Sequence, residues 1–211
     1  MTHSKYKLLS VIVFVLISYN SAFCQNSSNF LLVDLPRGIS VKLPKQWRLI
    51  ENGYLNLMNT TVEANLNLNG IQIPDGKTNL IAANSMPTTT FASIKIDSII
   101  PPSIPYTEVQ KIDSNDLKMI EKIIQNGLIK VLKQQNYSLI EFIGCHLDNI
   151  SNKISLVTEY RRTGLNGSVF VQINQIMTDN QEVVVTLSYR EAESPIWKAV
   201  VKYIRNSVII K

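Results

Sequence analysis

Cys145 and His146 stand side by side, and a thiol beside an imidazole is the pairing that nucleophilic catalysis uses, the ring taking the proton that leaves sulfur. Neighbours on a strand point to opposite faces, however. The spacing therefore predicts one buried thiol and one surface imidazole, not a catalytic dyad. Carboxylates are the second source of chemistry. Glu159 falls on a predicted strand, and Glu191 and Glu193 fall in a predicted strand-to-helix turn. Acid-base catalysis needs two such groups meeting in a cleft, whereas two acids just before a helix are already explained by its positive end. The third source is arginine, whose planar fork grips carboxylate or phosphate bidentately. Arg161 and Arg162 end one predicted strand, and Arg190 ends another two segments later. Alternate strands of an antiparallel meander run parallel, so the three guanidinium groups are expected at one edge of the sheet as a partner-binding surface. Glu159, Glu191 and Glu193 offer the competing use, as ion-pair partners of the same arginines.

No other constellation carries chemistry. Of two histidines, His3 lies in the leader, so the converging donors of a zinc site are missing and no metal, cofactor or catalytic residue is assigned. Glycine-rich phosphate loops, a nucleophile elbow and the HExxH motif are all absent from the chain. Five N-x-Ser/Thr tripeptides begin at Asn26, Asn59, Asn136, Asn149 and Asn166, a number that reflects an asparagine-rich chain unless it passes a glycosylating route. With 211 residues, 45% hydrophobic and 18% charged, the composition is that of a globular domain and excludes a disordered or multi-span membrane chain. The net charge is +5, falling to +3 (19 basic against 16 acidic residues) once Lys5 and Lys7 leave with the leader. That bias is too weak and too dispersed to point to nucleic acid.

The leader is the sharpest signal. Lys5 and Lys7 precede an uncharged apolar run from Leu8 to Ile17, and small polar residues follow, the pattern of a secretory signal peptide. The run is shorter than the ~20 residues that span a hydrocarbon core. Ala22 and Cys24 supply small residues at the two signal-peptidase positions, so cleavage is expected after Cys24, giving a signal peptide of residues 1–24 and one domain of residues 25–211. Lipidation of Cys24 is the other reading, and the bulky Phe23 argues against it. The mature chain then holds Cys145 alone. One thiol makes no internal disulfide, and an exported domain of this size must rest on its hydrophobic core. Periplasmic or secreted localisation follows, with no membrane span after cleavage.

The positioning elements come from periodicity. Gly38 to Pro44 alternates as a half-buried strand, with Trp47 as a plug beneath its end. Tyr54, Leu55, Met58, Val62 and Leu66 recur at helical steps up to Asn69-Gly70. Asn79 to Ala83 and Phe91 to Ile96 read as strands, and Pro101, Pro102 and Pro105 force an extended connector. A helix capped by Asp113 or Ser114 buries Leu117, Ile120, Ile124, Leu128, Val131 and Leu132 and turns Lys118, Lys122, Lys130 and Lys133 to solvent. Four strands follow Asn136, with turns at Asp148-Asn149, Gly164 to Gly167 and Asp179-Asn180. Ser194-Pro195 opens a closing helix with Ile196, Val200, Ile204 and Val208 on its buried side.

The strand ending Leu43-Pro44-Lys45-Gln46-Trp47, and the strand from Val183 to Arg190 that leads through Trp197 into a helix ending Ile204-Arg205-Asn206-Ser207-Val208, resemble the PsbP-like fold group. That group joins the PsbP subunit of photosystem II, the Mog family and exported bacterial proteins of the DcrB type. The resemblance implies an α+β fold, an antiparallel sheet of about six strands flanked by helices on both faces, and adaptor or scaffold roles. The expected function is an exported bacterial binding or accessory domain that contacts an envelope protein or other envelope component. An envelope hydrolase using carboxylates in a cleft, or a carrier of an apolar ligand, is the alternative.

Overall fold

The computed structural model describes residues 29–50, 76–86 and 88–211. The leader, its cleavage site and the helix predicted from Tyr54 to Leu66 lie outside these residues. Strand β1 (Phe30–Leu35) turns through Arg37 and Gly38, both with left-handed backbone, into β2 (Ile39–Pro44). The chain's last strand, β10 (Ile209–Ile210), adds to β2, giving a three-stranded sheet in the order β1-β2-β10. A seven-stranded sheet is built from β3 (Arg48–Leu49), β4 (Lys77–Asn84), β5 (Ala92–Ile99), β6 (Leu139–Ile150), β7 (Lys153–Gly164), β8 (Gly167–Met177) and β9 (Glu182–Arg190). Its order is β3-β4-β5-β9-β8-β7-β6, with every neighbouring pair antiparallel. Three helices complete the described chain: α1 (Tyr106–Val109), α2 (Ser114–Gln134) and α3 (Ser194–Asn206). The class is the expected α+β arrangement, with seven strands in the large sheet and three more in a second sheet against the expected six.

One face of the large sheet carries the main core. The three-stranded sheet and α3 press Ile39, Val41, Leu43, Trp197, Val200 and Ile204 onto Ile94, Ile96, Val183, Val185 and Leu187, and burial of such side chains contributes about 1.5–3 kcal/mol each. The opposite face carries a smaller cluster, where α2 sets Leu128 and Leu132 against Tyr160, Val169 and Val171. Asp113 caps α2: its carboxylate accepts the Asn115 and Asp116 N–H groups, and Asp116 reaches back to the Asp113 N–H. Two termini differ from the sequence reading. Asp148 and Asn149 belong to β6, and the turn falls at Ser151 and Asn152, both left-handed, because the pairing of β6 with β7 runs on to Ile150 and Lys153. The closing helix buries Trp197 and Val201 along with the expected Val200 and Ile204 and leaves Ile196 exposed, while Val208, buried as expected, lies past the helix's end at Asn206 in the turn into β10.

Candidate functional site

Register divides the polar residues of the meander between the two faces. Arg161 lies opposite Phe170, which lies opposite Tyr189; the next row but one joins Glu159, Gln172 and Leu187. Directly opposed residues share a face, so these side chains stand on the α3 side. The alternate row, Arg162, Val169 and Arg190, stands on the α2 side. Arg162 and Arg190 therefore share one row, and Arg161 lies on the other face.

Each arginine has its own surroundings. Arg161 donates through Nε to both carboxylate oxygens of Glu191, at 2.6 and 2.7 Å, and through Nη1 to Glu141. These two acids raise its affinity for a proton still further. Arg190 pairs with Glu193, whose second oxygen accepts the Phe91 N–H at 2.6 Å. That clasp ties the start of β5 to the 3-10 turn Glu191–Glu193 leading into α3. Arg162 stacks over the Tyr137 ring at 4.3 Å and donates to the Thr163 carbonyl. No carboxylate pairs with it among the described residues.

The cysteine and histidine are separated as strand geometry requires. Cys145 lies opposite Thr158 on the α2 side, its sulfur 3.3 Å from the Thr158 hydroxyl and its N–H donating to Glu121 at 2.8 Å. Burial, with a smaller contribution from the Glu121 charge, pushes the thiol up against the lowering effect of Thr158. It is held as a thiol, not as the thiolate a nucleophile needs. His146 faces the other way, into a groove beside α3.

That groove is the candidate site. It has a volume of about 190 Å³ and runs between the outer strand β6 and α3. Phe170 and Tyr189 form an aromatic floor, with ring centres 5.1 Å apart, continued by Glu159 and Gln172. His146 and Asp148 form the β6 wall, and Lys198, Val201, Lys202 and Arg205 form the α3 wall. The sequence dictates this shape. The closing helix and the three-stranded sheet together cover the β5 and β9 half of a wide sheet, where the inward positions are apolar. On β8 two of the inward positions, between Phe170 and Ile176, are the amides Gln172 and Asn174, where β9 carries Leu187 and Val185.

Hydrogen bonds fix the groove's groups unequally. Arg205 donates to Asn174 at 2.8 Å and pairs with Asp148, and buried Asn174 donates onward to the Val185 carbonyl at 3.2 Å. Burial raises the Asp148 carboxyl, but hydrogen bonds from Arg205 and the Asn149 N–H, with the charges of Arg205 and His146, outweigh it and hold the group below its ordinary range. Such a carboxylate is poorly suited to donate a proton as a general acid. Glu159 accepts from Gln172 at 2.6 Å. Lys198 and Lys202, one turn apart on α3, are exposed and have no charged partner among the described residues. No three His, Cys, Asp or Glu side chains among the described residues converge on a possible metal position.

The sequence reading did not single out Lys198, Lys202 or Arg205. Two signals were present: cations at steps of four and three flanking the buried stripe of a short helix, and two amides at inward-facing positions of an apolar strand.

This arrangement, an antiparallel sheet with α2 on one face and α3 with the terminal sheet on the other, is the PsbP-like fold. The solved structure of the cyanobacterial PsbP protein CyanoP from Synechocystis sp. PCC 6803 matches 89% of this chain and 95% of its own at 12% identity, with a TM-score of 0.50. A protein from Bacteroides thetaiotaomicron matches 82% of this chain and 45% of its own at 9% identity and a TM-score of 0.44. LpqN of Mycobacterium tuberculosis, described as involved in cell envelope biogenesis, matches 86% and 90% at 11% identity and a TM-score of 0.46. No family model and no curated protein sequence matches the chain.

Proposed function

We propose that the chain is an exported bacterial binding domain of the cell envelope, acting by contact and not by catalysis, and that its contact site is the groove beside α3. The sequence supports export through the leader, and the PsbP-like fold accommodates an accessory role without dictating one. One observation carries the site. Lys198 and Lys202 overlook a groove that contains two carboxylates, yet neither lysine is paired with them. Asp148 is committed to Arg205 and Glu159 accepts from Gln172, so the ammonium groups are left for an external anion. The free acceptor capacity of Glu159 and the imidazole of His146 favour an anionic group that carries a hydroxyl or ammonium donor beside it. Arg162 on the opposite face, the one arginine of the three without a carboxylate, is a secondary contact.

Cosedimentation with bacterial envelope fractions tests the reading. Between about 0.01 and 0.15 M salt the screening length falls from ~30 to ~8 Å, so retention through exposed lysines should fall across that range. Wild-type protein should be retained at low salt and released at the higher salt, and a Lys198→Ala/Lys202→Ala double variant should be retained poorly at both. Equal retention of the two proteins would remove the groove from the account.

A further inference from the structure

The groove beside α3 draws charged and titratable groups from each element that frames it. Strand β6 brings His146 and Asp148, two residues apart and so on one face. Strand β7 brings Glu159, β9 brings Tyr189, α3 brings Lys198, Lys202 and Arg205, and β8 adds only the neutral Phe170 and Gln172. Most of these groups are already engaged. Asp148 pairs with Arg205 through one oxygen and accepts the Asn149 N–H at 2.7 Å through the other, and Glu159 accepts from Gln172. Burial pushes the Tyr189 phenol up, so it stays neutral. His146 is exposed, and its side chain makes no hydrogen bond among the described residues. Imidazole is also the side-chain type that gains its charge closest to neutral pH. While the ring is neutral, three cations face two carboxylates and leave one net positive charge; a proton on His146 makes it two.

We infer that His146 sets the strength of the groove by its proton: acidification tightens the hold on an anion, and a bound anion makes the imidazole keep its proton. The inference rests on the reading that the groove takes an anion. His146 lies on the β6 wall and Lys198 and Lys202 lie on the α3 wall, so an anion between the walls meets two permanent charges on one side and a titrating one on the other. Lysine ammonium groups keep their charge throughout the neutral range. Asp148, two residues on, has both oxygens engaged, which leaves the imidazolium N–H groups to the anion. An exposed charged pair is worth up to about fivefold in affinity. Linkage makes the effect reciprocal, so the anion strengthens proton binding at His146 by the same factor.

Taurine is the probe, because its sulfonate and ammonium both keep their charges between about pH 5.5 and pH 7.5, where a phosphate monoester titrates. It is titrated into the mature chain and into His146→Gln, an exposed position where the amide forms hydrogen bonds but carries no charge. Wild type should bind about fivefold more tightly at the lower pH, and His146→Gln should bind equally at both. His3 falls in the predicted leader, so His146 is the mature chain's one imidazole, and its ring proton resonance reports its titration alone. Saturating taurine should move the midpoint of that titration to higher pH by the logarithm of the same factor. Saturable binding that does not change with pH, a pH dependence that persists in His146→Gln, or a midpoint that taurine leaves in place overturns the inference and leaves the groove's anion site standing. Absence of saturable binding at both pH values overturns the inference together with the reading beneath it.

Discussion

Trp47 and Trp197 meet edge to face with ring centres 5.9 Å apart, the first in the turn after β2 and the second in the first turn of α3. This contact joins the terminal sheet to the closing helix, along which the candidate groove runs. Truncating a buried aromatic typically costs about 3–5 kcal/mol. Trp47→Ala and Trp197→Ala should each lower the urea midpoint by a corresponding amount. Their double variant should cost less than the two together, by about 0.5–1.5 kcal/mol for the lost ring pair. Full additivity would show that the rings do not act as a pair.

The Arg190-Glu193 clasp should be structural. Glu193→Ala leaves the Phe91 N–H and the Arg190 guanidinium without their acceptor, a loss of about 1–3 kcal/mol. Glu141→Ala removes a more exposed partner of Arg161, which keeps Glu191, and should cost no more than ~1 kcal/mol. Chemical denaturation of the two variants checks the contrast.

Asp148 should contribute a measurable acid sensitivity. Its carboxyl is held below the ordinary value of 3.8 in the folded chain, so the folded state binds this proton less readily than the unfolded state. The resulting stabilisation is present above the unfolded value and is lost as pH falls through the folded one. Between about pH 5 and pH 2, bracketing the ordinary carboxyl range, wild type should lose more stability than Asp148→Asn. The pH dependence of the two denaturation midpoints measures the difference.

Cys145 should behave as a sluggish thiol. With its pKa raised above 9.0, chiefly by burial, it should react with iodoacetamide several-fold more slowly than a free cysteine peptide near pH 8, and faster as pH rises. Mass spectrometry of the alkylated chain gives the rate. A rate equal to or above that of the peptide would mean an activated thiolate and reopen nucleophilic chemistry at this position.

Local pattern made some of this architecture legible and left other parts hidden. The capped helix α2 was readable because Asp113 and the apolar steps from Leu117 to Leu132 act locally, but of that stripe only Leu132 is fully buried and the others are half-buried. The meander was readable from the alternation of Val183 to Arg190 and from its glycine and asparagine turns. The terminal sheet was not, because the pairing of Ile39 with Ile210 joins residues from opposite ends of the chain, and a strand of two residues has no period. The arginine positions were legible to the edge but not to the face. Arg161 and Arg162 are neighbours, so one of them had to point away from Arg190. The groove depended on a tertiary fact, the width of sheet that α3 leaves uncovered.

Nuclear magnetic resonance mapping of an anion on the mature chain tests the central claim most directly. Phosphoethanolamine, an anion that carries its own ammonium donor, is titrated into uniformly ¹⁵N-labelled protein. The account predicts that saturable shifts gather on the amides of His146, Gln172, Lys198 and Lys202, and that they vanish in the Lys198→Ala/Lys202→Ala variant. Shifts gathered instead on the exposed lysine face of α2, at Lys118, Lys122, Lys130 and Lys133, or shifts unchanged in the double variant, would contradict it.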